Sequence, residues 1–211
     1  SKNEMHDGVH VRIMVTRGIK KTPSQDPRLT ISGPNVVIIA EYKKASNETK
    51  AKGITLFTSS FRRGSPDYLD PKLNCHSKLH EVQALIQAIE AGADEALMLD
   101  VNGFVSTCNA TNFFIVKDGE VWTSTGAYCM NGITRQKVIE ICAKNKIPCH
   151  QKNFSLYDTY GADEAFVTGT FGGLTPVTKI DGKMIENQND LSLRGNLDRL
   201  YEELIANESK P

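Results

Sequence analysis

Two Asp-Gly pairs, each lying between two strand-like runs, constrain the fold of this chain more than any other feature. Asp and Gly adopt the positive backbone angles of a two-residue turn more readily than other residues, so each pair predicts an antiparallel hairpin. The pairs are Asp118-Gly119 and Asp181-Gly182. Since hairpins join antiparallel strands, the sheet cannot be purely parallel.

Segments of helical period alternate with further strand-like runs. Apolar residues recur at intervals of three and four over residues 77–91 and 133–147 and in a C-terminal segment at 197–205. Gly92 ends the first segment as a C-terminal cap would. The remaining strand-like runs cover 8–17, 35–40, 53–58, 95–101 and 165–168. Together these patterns predict an α+β fold, with a mixed sheet, hairpins and flanking helices.

Some of these runs carry finer predictions. Residues 35–40 are rich in β-branched side chains, which favours a buried strand. In the first helix Leu79, Val82, Ile86 and Ile89 fall on one apolar stripe together with Leu85. Residues 18–34 are expected to be a loop, and the lysine-rich residues 43–52 a solvated connection.

Composition narrows the class of protein. The 211 residues are expected to form a single domain over 1–211, and 25 basic residues balance 25 acidic ones, which gives no electrostatic reason to expect nucleic acid or a membrane as partner. No run reaches the ~20 apolar residues of a membrane span. The five cysteines are odd in number and none are spaced C-x-x-C, so we expect no disulfide framework, no metal site and a reducing, cytoplasmic compartment.

Two glycine-containing segments are candidate anion-binding elements. Gly132-Ile133-Thr134 opens a predicted helix, where free amides and the helix dipole favour an anion, and Thr134 adds a hydroxyl. The segment Thr168-Gly169-Thr170-Phe171-Gly172-Gly173 follows a predicted strand and could supply further amides and a hydroxyl to the same anion. Taken alone, the first segment is also compatible with an ordinary helix cap and the second with a simple turn.

The order of several motifs resembles class IV (fold-type IV) pyridoxal-phosphate aminotransferases, the group of branched-chain and D-amino-acid aminotransferases and aminodeoxychorismate lyases. No single motif is specific, but the series from about Val11 to Ile185 is. The motifs are Val15-Thr16-Arg17-Gly18, Gly92-Ala93-Asp94-Glu95-Ala96, Gly103-Phe104-Val105, Asn112-Phe113-Phe114, Gly132-Ile133-Thr134-Arg135, Ala162-Asp163-Glu164-Ala165-Phe166, Thr168-Gly169-Thr170, Thr175-Pro176-Val177 and Ile180-Asp181-Gly182.

The resemblance implies the large cofactor-binding domain of that family and transfer of an amino group between an amino acid and a 2-oxo acid. It implies pyridoxal 5'-phosphate as cofactor and a homodimer. By resemblance the phosphate would be held by the amides of Ile133 and Thr134, the Thr134 hydroxyl and Thr170. Gly132 lets the backbone approach closely, and Gly169 belongs to the second cofactor-binding segment.

The chain departs from the family pattern at two chemical positions. The family lysine that attaches the cofactor corresponds to Asn74, and an asparagine has no amine to form that bond. Lys72 is the candidate catalytic residue if the register is shifted by two, and Lys78 is a further alternative. Thr107 stands where the family has a glutamate, and a hydroxyl can only hydrogen-bond a neutral pyridine nitrogen.

The family's N-terminal small domain is also expected to be absent from this chain. Three hypotheses remain open from the sequence. The first is an active aminotransferase or related lyase. The second is a catalytically degenerate relative that keeps a role in phosphate binding or assembly. The third is an unrelated α+β binding domain.

Overall fold

A computed structural model describes residues 3–185 and 192–209. The chain divides into two compact units, Ser1–Ala45 and Ser46–Pro211, and each is described by itself. The predicted single domain covers 1–211, which includes positions outside the described residues. It therefore stays a prediction.

The first unit contains a two-stranded antiparallel ribbon. Strand β1 (Val9–Val15) pairs with β2 (Val36–Tyr42), with Val9 opposite Tyr42 at one end. The intervening loop contains a short 3-10 helix over Pro27–Leu29. The predicted strand at 35–40 is confirmed, but its predicted burial is wrong, because Ile38 is 63% exposed. Composition indicates that a segment favours a strand. Burial also requires a second layer of structure packed against that strand, and a two-stranded ribbon provides no such layer by itself.

The second unit is built on a nine-stranded mixed sheet, which confirms the α+β prediction. The strand order is β5-β4-β3-β10-β9-β6-β7-β8, with β11 added beside β10. β3 runs parallel to both of its neighbours and β7 parallel to β8, while the other pairs are antiparallel. The strands are β3 (Ile54–Thr58), β4 (Glu95–Leu99), β5 (Val105–Cys108), β6 (Asn112–Lys117), β7 (Glu120–Thr123), β8 (Cys149–Gln151), β9 (Glu164–Gly169), β10 (Gly173–Ile180) and β11 (Lys183–Met184).

Helices flank this sheet. They are α1 (Asn47–Lys52), α2 (Pro66–Leu69), α3 (Leu79–Glu90), α4 (Ile133–Lys144), α5 (Leu156–Tyr160) and α6 (Leu193–Glu208). The three long helices confirm the periodic segments of the sequence. The segment expected to be a solvated connection is exposed, but its second half forms α1.

Both predicted hairpins are confirmed. Asp118 and Gly119 have φ angles of 51° and 75°, and Asp181 and Gly182 have 51° and 81°. Positive φ at both central residues is the signature of the type I′ turn, whose twist matches that of paired strands. In the first hairpin Lys117 pairs with Glu120, so the turn contains only the Asp-Gly pair.

The central strands β6 and β9 divide the core into two faces. Alternate residues such as Phe113 and Val167 join one apolar cluster, while Phe114 and Phe166 join the other, against which α4 and α6 pack. The Phe114 and Phe166 rings stack with 4.9 Å between their centroids. This face, covered by α4 and α6, positions the candidate site.

Helix α3 has its spacing as predicted, but its large side chains lie on the solvent side. Ala84 and Ala88 are fully buried against Ala96 and Met98 of β4. The larger members of the stripe, Leu79, Val82, Ile86 and Ile89, are exposed. The helix therefore approaches the sheet closely through alanines and presents an apolar outer face.

Candidate anion site at the start of helix α4

Helix α4 begins without a side-chain cap. Gly132 is its N-cap residue, with φ −63° and ψ 150°, and makes no capping bond because it has no side chain. The first amides of a helix have no partner within the helix, and they form its positive end. The amides of Ile133 and Thr134 are therefore placed as the sequence predicted for an anion site.

A close approach explains the glycine at this position. A Cβ atom built on Gly132 would lie 2.6 Å from Oδ1 of Asn112, well inside van der Waals contact. The Gly132 amide donates to that Oδ1 at 3.3 Å and to the Met130 carbonyl at 3.0 Å. A larger residue would push the helix start away from Asn112.

Asn112 connects the start of α4 with Thr107 on β5. Its Nδ2 donates to the Met130 carbonyl at 2.9 Å and, at the longer distance of 3.4 Å, to Oγ1 of Thr107. The Thr107 hydroxyl in turn donates to the Thr111 carbonyl at 2.7 Å. Thr107 is thus buried next to the predicted site, with its proton committed to the backbone.

Thr168 lies beside Asn112 in the sheet. The two residues pair across β6 and β9, and their side chains lie on the α4 face. The Thr168 side chain is 2% exposed, and its Oγ1 has no hydrogen-bond partner among the described residues. Gly169 and the exposed Thr170 continue directly from this rung. The two glycine-containing segments predicted from sequence therefore converge on the same end of the β6–β9 pair.

The hydroxyl of Thr134 lies next to a hydroxyl of helix α6. It lies 3.3 Å from the Tyr201 hydroxyl of α6, and the residue is buried. Its backbone amide remains at the helix start. The assignment of both Thr134 donors to a phosphate stays a prediction.

Arg135 adds a buried positive charge in the first turn of α4. It is 2% exposed, and its guanidinium donates to the carbonyl of Ser124 at 2.7 Å, to Oε1 of Gln151 at 3.0 Å and to Oδ1 of Asn131 at 3.2 Å. Within the described residues no carboxylate lies within ion-pair distance of it. Burial lowers the pKa of Arg135 below that of a free guanidinium.

The candidate lysines lie on a separate segment that precedes α3. Lys72 is exposed, and its Nζ lies 3.7 Å from Oδ2 of Asp70. Asn74 is also exposed, and Lys78 is the N-cap residue of α3 beside a small cavity of about 30 Å³. No hydrogen bond or ion pair in the described part of the chain joins Lys72 or Lys78 to the start of α4.

The buried Arg63 holds this lysine-bearing segment in place. Its guanidinium pairs with Glu81 of α3 at 2.7 Å and donates to the carbonyls of Tyr128 at 3.2 Å and Pro71 at 3.4 Å. Tyr128 lies in the loop that leads into α4. Arg63 therefore links the lysine segment to the loop that precedes the anion site.

Neither a metal cluster nor a membrane-spanning helix is found within residues 3–185 and 192–209. No group of three or more His, Cys, Asp or Glu side chains there could hold a metal ion. None of the helices there has the length and apolar character needed to cross a bilayer.

The sequence profile of the family described as Amino-transferase class IV matches residues 1–180. The chain belongs to this family. Branched-chain-amino-acid aminotransferase-like protein 2 of Arabidopsis thaliana is 37% identical over 209 residues, covering 99% of this chain and 37% of the relative. The branched-chain-amino-acid aminotransferase of Pseudomonas aeruginosa is 32% identical over 209 residues, covering 97% of this chain and 66% of the relative.

Solved aminotransferase structures share the fold. An aminotransferase from Brucella abortus, solved with its cofactor PLP, superposes with a TM-score of 0.81 at 25% identity, covering 93% of this chain and 68% of that chain. The chain spans between 37% and 68% of the length of these relatives. It therefore corresponds in length to only part of those proteins.

The structure adds residues that the sequence left unassigned. Asn112, Thr168 and Arg135 all stand within the motifs that carry the family resemblance. From the sequence, Asn112 and Arg135 had no assigned role, and Thr168 had only a place in the second glycine-containing segment. A polar residue at the start of an otherwise apolar strand, such as Asn112, is the signal that could have identified the first. Two further features are visible only in three dimensions: within residues 3–185 and 192–209 the Thr168 hydroxyl has no hydrogen-bond partner and Arg135 has no acidic partner.

Proposed function

We propose that this chain is the cofactor-binding part of an aminotransferase that moves an amino group between an amino acid and a 2-oxo acid, with pyridoxal 5'-phosphate as cofactor. The observation that carries the proposal is the open start of α4, where Gly132 gives the helix no side-chain cap. Membership of the class IV family supports the reaction class. A relative named as an aminotransferase and a structural neighbour solved with PLP support the cofactor.

The residues present fit the phosphate group. A dianion at this helix start would meet the amides of Ile133 and Thr134, and Gly132 leaves the backbone accessible. Gly169 and Thr170 would supply further donors from the end of β9. The unpartnered hydroxyl of Thr168 lies buried beside them, which is the kind of atom that a bound oxygen would satisfy.

When bound, pyridoxal phosphate withdraws electrons from the α-carbon of an amino acid, which makes its proton and amino group transferable. The task of the helix start is to hold the phosphate and so fix the position of the ring. Arg135 contributes positive charge from behind the first turn. Thr107 lies on the same network, and we propose that it faces the ring nitrogen, to which its hydroxyl would donate only after leaving the Thr111 carbonyl.

Lys72 is the amine that we propose to act at the cofactor. It lies on the segment where the family has its lysine, and it needs to move away from Asp70 to act. Asn74 favours a second candidate function, namely a catalytically degenerate relative that binds the phosphate without turnover. The two differ in whether a lysine of this chain becomes attached to the cofactor.

The test combines spectroscopy with chemical trapping. The purified chain is mixed with pyridoxal phosphate, desalted, reduced with borohydride and mapped by peptide mass spectrometry. The enzyme proposal predicts retained absorbance and an adduct on Lys72 that is lost in Lys72→Ala but kept in Lys78→Ala. Retained cofactor without any lysine adduct would favour the degenerate relative, and no retention at all would contradict both.

Assembly and location are also proposals. We propose a homodimer in the cytoplasm, with no nucleic-acid or membrane partner. The exposed apolar side chains of α3, among them Leu79 and Ile86, support self-association, and the free cysteines of the described residues suit a reducing compartment. Sedimentation of the wild-type chain beside Ile86→Ser tests the dimer, because a monomer in both would contradict it.

A further inference from the structure

We propose that Asn112 is a positioning residue for the anion site, holding the first turn of α4 in the place where phosphate would bind. This inference rests on the proposed function, because it assigns a role in binding the same phosphate. It concerns a residue that does not itself touch the anion.

The side-chain amide of Asn112 uses both of its ends at the start of α4. Its Oδ1 accepts from the Gly132 amide at 3.3 Å, and its Nδ2 donates to the Met130 carbonyl at 2.9 Å. The same side chain therefore hydrogen-bonds both the loop before the helix and the N-cap residue itself. Asn112 is 7% exposed, so water competes little for these bonds.

These contacts are made from a central strand of the sheet. β6 lies inside the sheet, between β9 and β7, and Asn112 pairs with Thr168 of β9. Apolar packing locates α4 over this face but tolerates small shifts and rotations. Directional hydrogen bonds to a central strand fix the height of the first turn more sharply.

The chemistry requires an amide and not a carboxylate. An aspartate at 112 could still accept from the Gly132 amide. It could not donate to the Met130 carbonyl, and it would bring a negative charge next to the phosphate position. A merely structural role would rank the near-isosteric Asp above Ala. A role in anion positioning ranks Asp at or below Ala for phosphate binding.

The network also joins the two ends of the cofactor site. Nδ2 of Asn112 lies 3.4 Å from Oγ1 of Thr107, the residue proposed to face the ring. A shift of Asn112 would therefore disturb the phosphate position and the ring position together. Loss of Asn112 is expected to change the absorbance of bound cofactor as well as its affinity.

The experiment compares Asn112→Ala and Asn112→Asp with a matched control, Asn109→Ala. Asn109 also uses its Oδ1 to hold a backbone amide, that of Ala96, at 2.8 Å, but it makes no bond to α4. Affinity for pyridoxal phosphate is measured by equilibrium dialysis with the full chain. Amide hydrogen exchange of residues 132–134 is measured in the same variants without cofactor.

Asn112→Ala is expected to weaken pyridoxal phosphate binding by about tenfold or more, the effect of losing one or two buried hydrogen bonds. Asn112→Asp is expected to weaken it at least as much, whereas Asn109→Ala stays within about twofold. Exchange at Gly132 is expected to quicken in both Asn112 variants and to be unchanged in Asn109→Ala.

Equal losses of affinity in the Asn112→Ala and Asn109→Ala variants would overturn the inference, because they would reflect general destabilisation. If the wild-type chain binds no pyridoxal phosphate, the proposed function fails separately. Hydrogen exchange then decides whether Asn112 positions the turn: faster exchange confined to the Asn112 variants supports it, and unchanged exchange overturns it.

Discussion

The helices α4 and α6 lie on the same face of the sheet but begin in opposite ways. At the start of α6, side chains of the protein accept hydrogen bonds from the first helical amides. The Glu164 carboxylate accepts from the amides of Leu193 at 2.8 Å and Arg194 at 3.4 Å, and the Ser192 hydroxyl accepts from the Gly195 amide at 2.9 Å. Among the described residues no side chain accepts from the amides of Ile133 or Thr134 at the start of α4, and its N-cap residue is glycine.

The arginines in the two first turns repeat the contrast. Nε of Arg194 lies 4.0 Å from the Glu164 carboxylate. Arg135 has only neutral partners within the described residues. On the same sheet face, the first amides of α6 therefore donate to a carboxylate of the chain. The first amides of α4 have no such acceptor among the described residues. We propose that an external anion such as a phosphate would supply at α4 what Glu164 supplies at α6.

Removal of the Glu164 carboxylate is expected to have the largest effect on the free energy of unfolding. Glu164→Ala leaves two amides and the largely buried Arg194 without their acceptor, which should cost about 3 kcal/mol of unfolding free energy. Urea denaturation measures it. The control is Glu203→Ala, which loses an exposed pair with Arg199 and should cost less than about 0.5 kcal/mol. Similar losses in the two variants would remove the contrast between a filled and an open helix start.

A methyl group at the open start should act mainly on binding. In Gly132→Ala the new Cβ would meet Oδ1 of Asn112 at 2.6 Å, so the Asn112 side chain or the helix start must move. We expect a loss of about 1–3 kcal/mol in stability and about tenfold weaker binding of pyridoxal phosphate. Gly33→Ala is the control, since its Cβ would meet nothing within 4 Å. An unchanged affinity in Gly132→Ala would contradict the placement of the phosphate.

The charge of Arg135 should be measurable through the pH dependence of the reactivity of a neighbouring thiol, that of Cys149. A hydrogen bond from Cys142 and, to a smaller extent, the charge of Arg135 lower the pKa of Cys149. Its alkylation by iodoacetamide should therefore accelerate at lower pH than for a free cysteine, and Arg135→Gln should shift that profile upward. Lys144→Gln, which removes an exposed cation of α4, should leave it in place. An unshifted profile in Arg135→Gln would show that the charge does not reach the thiol.

Helix α5 gives the smallest and most pH-dependent effect. The Ser155 amide, the Ser155 hydroxyl and Lys117 lower the pKa of Asp158 in the capping box of α5. A carboxyl group whose pKa is lowered in the folded state stabilises the protein at pH values above the ordinary pKa of Asp. This contribution is lost as the pH falls through the lowered pKa. Asp158→Asn should cost about 1 kcal/mol at neutral pH and less in acid. A loss independent of pH, in denaturation series from pH 7 to pH 3, would contradict the role of the carboxylate.

Local patterns predicted the parts of the fold that depend on neighbouring residues. The Asp-Gly pair at 118–119 specified a hairpin because its backbone angles are local, and the helix at α4 followed from its period. Burial could not be predicted for Ile38 or Leu79, because it depends on which layer covers a segment. Helix α5 was missed because five residues are too few to show a helical period.

The candidate site was predictable in part for the same reason. Gly132-Ile133-Thr134 is a local motif, and its place at a helix start is confirmed. The meeting of Asn112, Thr168 and Gly132 arises from the register of β6 with β9 and from the packing of α4. Distant pairings of this kind leave no periodic trace in one sequence.

The most direct test of the contrast between α4 and α6 is a map of backbone amide shifts by NMR during titration with pyridoxal phosphate. An anion bound at the open start should shift the amides of residues 132–135 and 168–170 and leave those of 193–195 in place. Shifts at 193–195, or none at 132–135 in a chain that binds the cofactor, would contradict the claim that α4 offers its positive end to a ligand.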